Sequence, residues 1–165
     1  AAIDKDGWFH TGDVGYLKGN HLYLTERIKD LFKTSNGKYI SPQALETKLS
    51  IDRYIDQIAV IADQRKFVSA LIVPVYGLVK NYAKEKGLEY KDMADLLQHP
   101  KVQALFRARI DTLQQQFAHY EQVKRFTLLS EPFSMERGEL TNTLKLKRSV
   151  VAKNYKELID KMYEE

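Results

Sequence analysis

The stretch Val68 to Val75 is uncharged and predominantly apolar, and it constrains the fold more than any other segment. It is far too short to cross a bilayer, which takes about 20 apolar residues in a helix. An apolar run of this length that stops at a proline reads as a central strand, with Val68 to Val73 buried and Pro74 ending it. Ile58, Val60 and Ala62 alternate as in a half-buried strand, and Val123 to Leu129 returns to strand character. Ile28 to Lys33 is another strand candidate.

Helical spacing fills the intervals. Ser41-Pro42 is a good helix start, because serine caps free N–H groups and proline suits the first helical position. Leu45 and Leu49 give that helix an apolar edge. Leu78, Val79, Tyr82 and Ala83 form a stripe that ends at Gly87. Pro100 opens a longer helix with Val102, Leu105, Phe106, Ile110, Leu113 and Phe117 on one face. A last helix carries Val151, Tyr155, Leu158 and Met162 on one side. Strands and helices mix without βαβ regularity. The expected class is α+β: a small mixed or antiparallel sheet flanked by helices and preceded by a β-hairpin, with Gly19-Asn20 as the hairpin turn.

Composition narrows the function. The 165 residues, 44% hydrophobic and 29% charged, suffice for one core. With no cysteine, disulfides and thiolate metal sites are excluded, and the four scattered histidines make no metal set. The net charge of +4 only weakly suggests a polyanion partner. The chain starts Ala1-Ala2-Ile3-Asp4 without methionine, which reads as a piece of a longer polypeptide.

Four segments could carry chemistry. Thr11-Gly12-Asp13 is a tight turn presenting a carboxylate, which could accept both hydroxyls of a ribose or simply close the turn. Glu26-Arg27-Ile28-Lys29-Asp30 offers a guanidinium fork for phosphate or ribose oxygens, or a solvated strand end. Ser35-Asn36-Gly37-Lys38-Tyr39-Ile40-Ser41-Pro42 brings a glycine that permits close backbone approach, or a plain loop before a capped helix. Gly138 to Arg148 ends in the basic cluster Lys145, Lys147, Arg148 just before a helix. Cations there oppose the helix dipole, so the placement needs a functional reason or a partner anion.

Taken in order and separation, Trp8-Phe9-His10-Thr11-Gly12-Asp13, Arg27-Ile28-Lys29-Asp30, Asn36 to Pro42 with Leu45-Glu46, and Leu140 to Arg148 resemble the end of the adenylate-forming superfamily. The last motif is most similar to the long-chain fatty acid–CoA ligase branch. That resemblance implies residues 1–26 as the last strands of a large N-terminal nucleotide-binding domain and 27–165 as a mobile C-terminal domain. It implies Asp13 and Arg27 as nucleotide-binding, Lys29 as the hinge, Gly37 as lining the coenzyme A tunnel, and Lys145 as the catalytic lysine of adenylation. Lys145 is preferred to Lys147 for its spacing to Arg148 and its motif position. Leu144 stands where many relatives have glycine, Asn142 where proline is usual, Glu26 where aspartate or glycine is usual. The Ala44-Leu45-Glu46 triplet lacks the first acidic residue of the common pattern.

The implied substrates are a fatty acid, ATP with Mg2+, and CoA, in a cytoplasmic enzyme whose peripheral attachment to a membrane is left open. The implied partner is the N-terminal domain of the same polypeptide. The chain holds no phosphate loop and no acyl pocket, so it is expected to bind none of these ligands tightly and to be inactive alone. The alternative is a basic α+β module that binds nucleic acid or protein without catalysis. Lys and Arg spread along the chain, with no aromatic-basic RNA-binding strand, argue against nucleic acid.

Overall fold

The structure is a computed structural model that describes residues 3–164, apart from the side chains of Thr25, Glu26 and Lys29. It opens with an antiparallel hairpin, β1 (Asp13–Lys18) and β2 (His21–Arg27). The expected turn joins them: Gly19 takes a positive φ of 60°, which glycine reaches without steric cost. Tyr16 and Tyr23 face each other across the ladder, their rings stacked at 5.2 Å.

The expected strand from Ile28 to Lys33 does not form as one piece. Ile28–Asp30 is a 3-10 turn, and the Leu31 N–H bonds back to Ile28 O instead of across to a neighbour. Two charged residues in mid-segment favour this solvated turn. The part of it that forms a strand is β3 (Phe32–Lys33), paired with β4 (Tyr39–Ile40).

The main sheet has the order β5-β6-β7, from β5 (Ile55–Ile61), β6 (Val68–Pro74) and β7 (Val123–Leu128). β5 and β6 are antiparallel; β6 and β7 are parallel. The central position of β6 follows from its composition, and every residue in it is buried. Val68, Ala70 and Ile72 enter one core; Leu71 and Val73 enter the other. That split is the two-residue period of an extended chain.

The first core lies under α1 (Pro42–Leu49), α2 (Tyr76–Glu85), α3 (Met93–Gln98) and α4 (Pro100–Leu113). The second is closed by Leu129, Phe133, Leu140 and the C-terminal helices α5 (Arg148–Asn154) and α6 (Lys156–Lys161). β5 is therefore not half-buried as its alternation suggests. Ala59 faces the second core while Ile58 and Val60 face the first.

Two helices differ from their sequence pattern. α4 stops at Leu113, before Phe117, because the buried Gln114 side chain turns to the next strand. Its Oε1 accepts the Val123 N–H at 2.8 Å. The last helix is split at Tyr155, whose ring packs edge-on against Phe133. Beyond the break, Ile159 is buried and Leu158 is exposed. The short helix α3, capped by Asp92 Oδ1 on the Asp95 N–H at 2.9 Å, has no counterpart in the apolar periodicity.

Candidate functional site

Asp13 and Arg27 are brought together. They are Cα partners across the β1–β2 ladder, and Arg27 Nε lies 3.1 Å from Asp13 Oδ1. Gly12, at φ 75°, makes the turn; its carbonyl accepts the Ile28 N–H at 2.8 Å, and Thr11 Oγ1 accepts the Asp13 N–H at 3.1 Å. The guanidinium stays largely exposed beside the half-buried carboxylate. Lys29 falls in the 3-10 turn next to this hairpin; its side chain lies outside the described residues.

Gly37 and Lys145 sit on two loops of the same build. In the first, Thr34 N–H donates to Lys38 O at 2.9 Å and Gly37 N–H to Thr34 O at 2.9 Å. Thr34 Oγ1 accepts the Lys38 N–H at 3.1 Å. In the second, Thr141 N–H donates to Lys145 O at 2.8 Å and Leu144 N–H to Thr141 O at 2.8 Å. Thr141 Oγ1 accepts the Lys145 N–H at 3.0 Å. The fourth residue is left-handed in both, with φ 76° at Gly37 and 59° at Leu144. This is a tight three-residue hairpin loop with its left-handed residue at the third loop position. Leucine there is strained, since its Cβ crowds the backbone.

The base of the Lys145 loop is pinned. Leu140 and Leu146 form an isolated antiparallel bridge, and Lys147 N–H donates to Glu139 O at 2.7 Å. The Glu139 side chain is fully buried. It accepts from Arg137 Nε at 3.2 Å, Ser134 N–H at 3.0 Å and Asn154 Nδ2 at 3.1 Å. Burial alone would raise the Glu139 pKa, but these donors outweigh it and hold the carboxyl below the usual glutamate range. Beside the tip, Lys145 is exposed and its ammonium has no hydrogen-bond or ion-pair partner among the described residues.

Within the basic cluster, Arg148, the first residue of α5, has an anion. Arg148 donates Nη1 to Glu46 Oε1 at 2.5 Å and Nη2 to Glu46 Oε2 at 2.6 Å. Glu46 Oε1 also accepts the Val60 N–H at 2.8 Å, and the Arg148 guanidinium lies 5.6 Å from the Phe32 ring centroid. Arg148 thus holds α1, β5 and the end of the Lys145 hairpin together. A cleft of about 340 Å³ runs beside it, lined by Phe32, Val60, Arg65, Leu146, Arg148 and Ile159. No hydrogen bond or ion pair joins the Asp13–Arg27 pair to the Lys145 loop among the described residues. Among those residues no group of histidine, aspartate and glutamate side chains is arranged to hold a metal ion, and no helix is long and apolar enough to cross a membrane.

Sequence reading overlooked Glu139, the Glu46–Arg148 pair and Lys38. The repeated Thr-x-x-x-Lys spacing, Thr34 to Lys38 and Thr141 to Lys145, was the signal for the last.

The fold is thus a mixed sheet with helices on both faces that presents, on a pinned hairpin, a lysine without a partner among the described residues. Residues 29–165 match the family model for the AMP-binding enzyme C-terminal domain, and the chain belongs to that family. It is 35% identical over 169 residues to the peroxisomal long chain acyl-CoA synthetase 6 of Arabidopsis thaliana, covering 99% of this chain and 24% of the relative. It is 36% identical over 169 residues to the long-chain-fatty-acid–CoA ligase 5 of Rattus norvegicus, covering 98% and 24%. The chain therefore spans about a quarter of the length of these relatives. Among solved structures, the adenylation domain of a carboxylate reductase from Mycobacterium chelonae superposes with a TM-score of 0.76 at 25% identity, over 98% of this chain and 24% of that one. The corresponding domain from Segniliparus rugosus, solved with AMP and a carboxylic acid, gives 0.75 at 23% identity, over 98% and 24%, and supports the fold. This kinship disfavours the noncatalytic binding module.

Proposed function

We propose that this chain is the lysine-bearing end of an ATP-dependent long-chain fatty acid–CoA ligase. Residues 1–26 would complete the large domain and 27–165 would form the mobile one, with the 3-10 turn at Lys29 as the hinge. Exposed Trp8, Leu17, Leu22 and Leu24 on and beside the first hairpin support a covering domain there, since side chains this apolar are normally buried against something.

In this reading the carboxylate oxygen of a fatty acid attacks the α-phosphorus of ATP, and the bond to pyrophosphate breaks. Mg2+ belongs with the ATP phosphates. Asp13 accepts the ribose hydroxyls and Arg27 orients the nucleotide beside it. Lys145 stabilises the charge that builds on the phosphoryl oxygens. A positioned cation of this kind is worth on the order of a hundredfold or more in rate. The mobile domain then turns, and the Gly37 loop takes its place while the thiol of CoA attacks the acyl-adenylate. A backbone without a Cβ leaves room there: nothing lies within 4 Å of where that atom would stand.

The observation that carries this reading is the exposed Lys145 ammonium, without a partner among the described residues, on a loop fixed at its base. The test is ATP–pyrophosphate exchange in the full-length polypeptide that contains this chain. Exchange that needs fatty acid and falls about a hundredfold in Lys145→Ala is expected. Full exchange in Lys145→Ala, or exchange by the 165-residue chain alone, would sink it.

A further inference from the structure

The two loops share the same three bonds between the threonine, the left-handed residue and the lysine, and each ends in an exposed lysine directly after its left-handed residue. A threonine hydroxyl fixes the backbone N–H of that lysine in both, so both side chains leave the loop with the same base geometry. The proposed function uses only one of them. We infer that Lys38 is the cation of the second half-reaction, presented to a phosphate oxygen when the Gly37 loop faces the nucleotide. This rests on the role of Lys145 in adenylation.

The chemistry calls for a cation there. As the thioester forms, sulfur bonds to the acyl carbon and the bond from that carbon to the phosphate oxygen breaks. The bonding pair stays on the phosphate, the thiol proton leaves to solvent, and departing AMP gains a negative charge. A fixed ammonium within reach lowers that barrier as it does in adenylation. By then Lys145 has left with its hairpin, and coenzyme A has brought further phosphates. Among the described residues, the Lys38 Nζ is held only over the Tyr120 ring, 5.5 Å from its centroid. That contact is exposed and weak enough for a phosphate oxygen to replace. Around the loop, Asn36 Nδ2 bonds to Lys66 O at 3.4 Å and Ser35 N–H to Arg65 O at 3.0 Å, while the Asp63 carboxylate is engaged at the loop's base, its Oδ1 accepting the Lys33 N–H at 3.4 Å. The Glu46–Arg148 pair places both loops in one unit, so turning one lysine in turns the other out.

The test uses the full-length enzyme and times each half-reaction. Adenylation is followed by pyrophosphate exchange, and thioester formation from synthetic acyl-adenylate with either coenzyme A or phosphate-free pantetheine. In Lys38→Gln the ratio of thioester formation to adenylation falls by about tenfold or more, and Lys38→Arg recovers part of it. Lys145→Ala moves the ratio the other way. A purely structural effect would slow both steps and leave the ratio alone. Loss with both thiols assigns the phosphate to AMP; loss with coenzyme A alone assigns it to the coenzyme. An unchanged ratio with both thiols in Lys38→Gln overturns the inference while leaving Lys145 untouched. Full exchange in Lys145→Ala would instead remove the reading on which it rests.

Discussion

Glu46 and Arg148 lie 102 residues apart in sequence and meet in a two-pronged ion pair with bonds of 2.5 and 2.6 Å. The carboxylate is mostly buried and, among the described residues, has the Val60 N–H as its one other donor. Arg148→Met should therefore leave a poorly solvated charge and cost about 2 kcal/mol. Arg148→Lys, which keeps the charge but loses the fork, should cost about half of that. Urea midpoints compared at fixed m-value would read both, and an unchanged midpoint in Arg148→Met would show that the pair holds nothing.

Lys145 and Lys147 lie two residues apart but have different surroundings. The backbone of Lys147 closes the base of the hairpin on Glu139, whereas Lys145 sits beside the tip. In the full-length protein, Lys145→Ala should lose about a hundredfold in adenylation, with Lys147→Ala staying within about threefold. Equal losses would mean that the two ammonium groups share the phosphate.

Glu139 makes stability depend on pH. Its carboxyl is held below the ordinary value of 4.5 in the fold, so the unfolded chain takes up the proton first. The stabilisation is present above that value and is lost as pH falls through the lower folded pKa. Unfolding midpoints measured downward from pH 6 should drop in the native chain, and in Glu139→Gln the slope should be shallower. Parallel slopes would place the acid sensitivity elsewhere.

Leu144 holds a conformation that costs a non-glycine residue about 1–2 kcal/mol. Glycine would remove that strain and add about 0.5–1 kcal/mol of chain entropy cost. Leu144→Gly should thus stabilise the chain by roughly 0.5 kcal/mol, while Gly37→Leu should destabilise it by about the same amount. Differential scanning of the two variants would test the pair, and a destabilised Leu144→Gly would contradict it.

What could be read from the chain beforehand was whatever depends on near neighbours. β6 announces itself because an uncharged run ending in proline has few other places to go. Ser41 caps α1 as its position suggests, its Oγ accepting the Ala44 N–H at 3.3 Å. Gly19-Asn20 turns its hairpin. Periodicity misled wherever a distant contact decided the outcome. Gln114 ends α4 by bonding Val123, and Tyr155 breaks the last helix on Phe133, which puts Ile159 in the core where spacing favours Leu158. The motif residues were legible singly. That Asp13 meets Arg27, that Arg148 reaches Glu46, and that one loop repeats the other are relations across the fold, and no window along the sequence contains them.

The first hairpin also governs how the chain behaves in a tube. Two paired strands are marginal alone in water, and β1 and β2 expose Leu17, Leu22, Leu24 and the Tyr16–Tyr23 stack beside edges that pair with no other strand among the described residues. Such a ribbon is a template for its own copies. Purified by itself, the chain should self-associate in a concentration-dependent way through this end, and trimming it before Arg27 is the simplest route to a monodisperse sample.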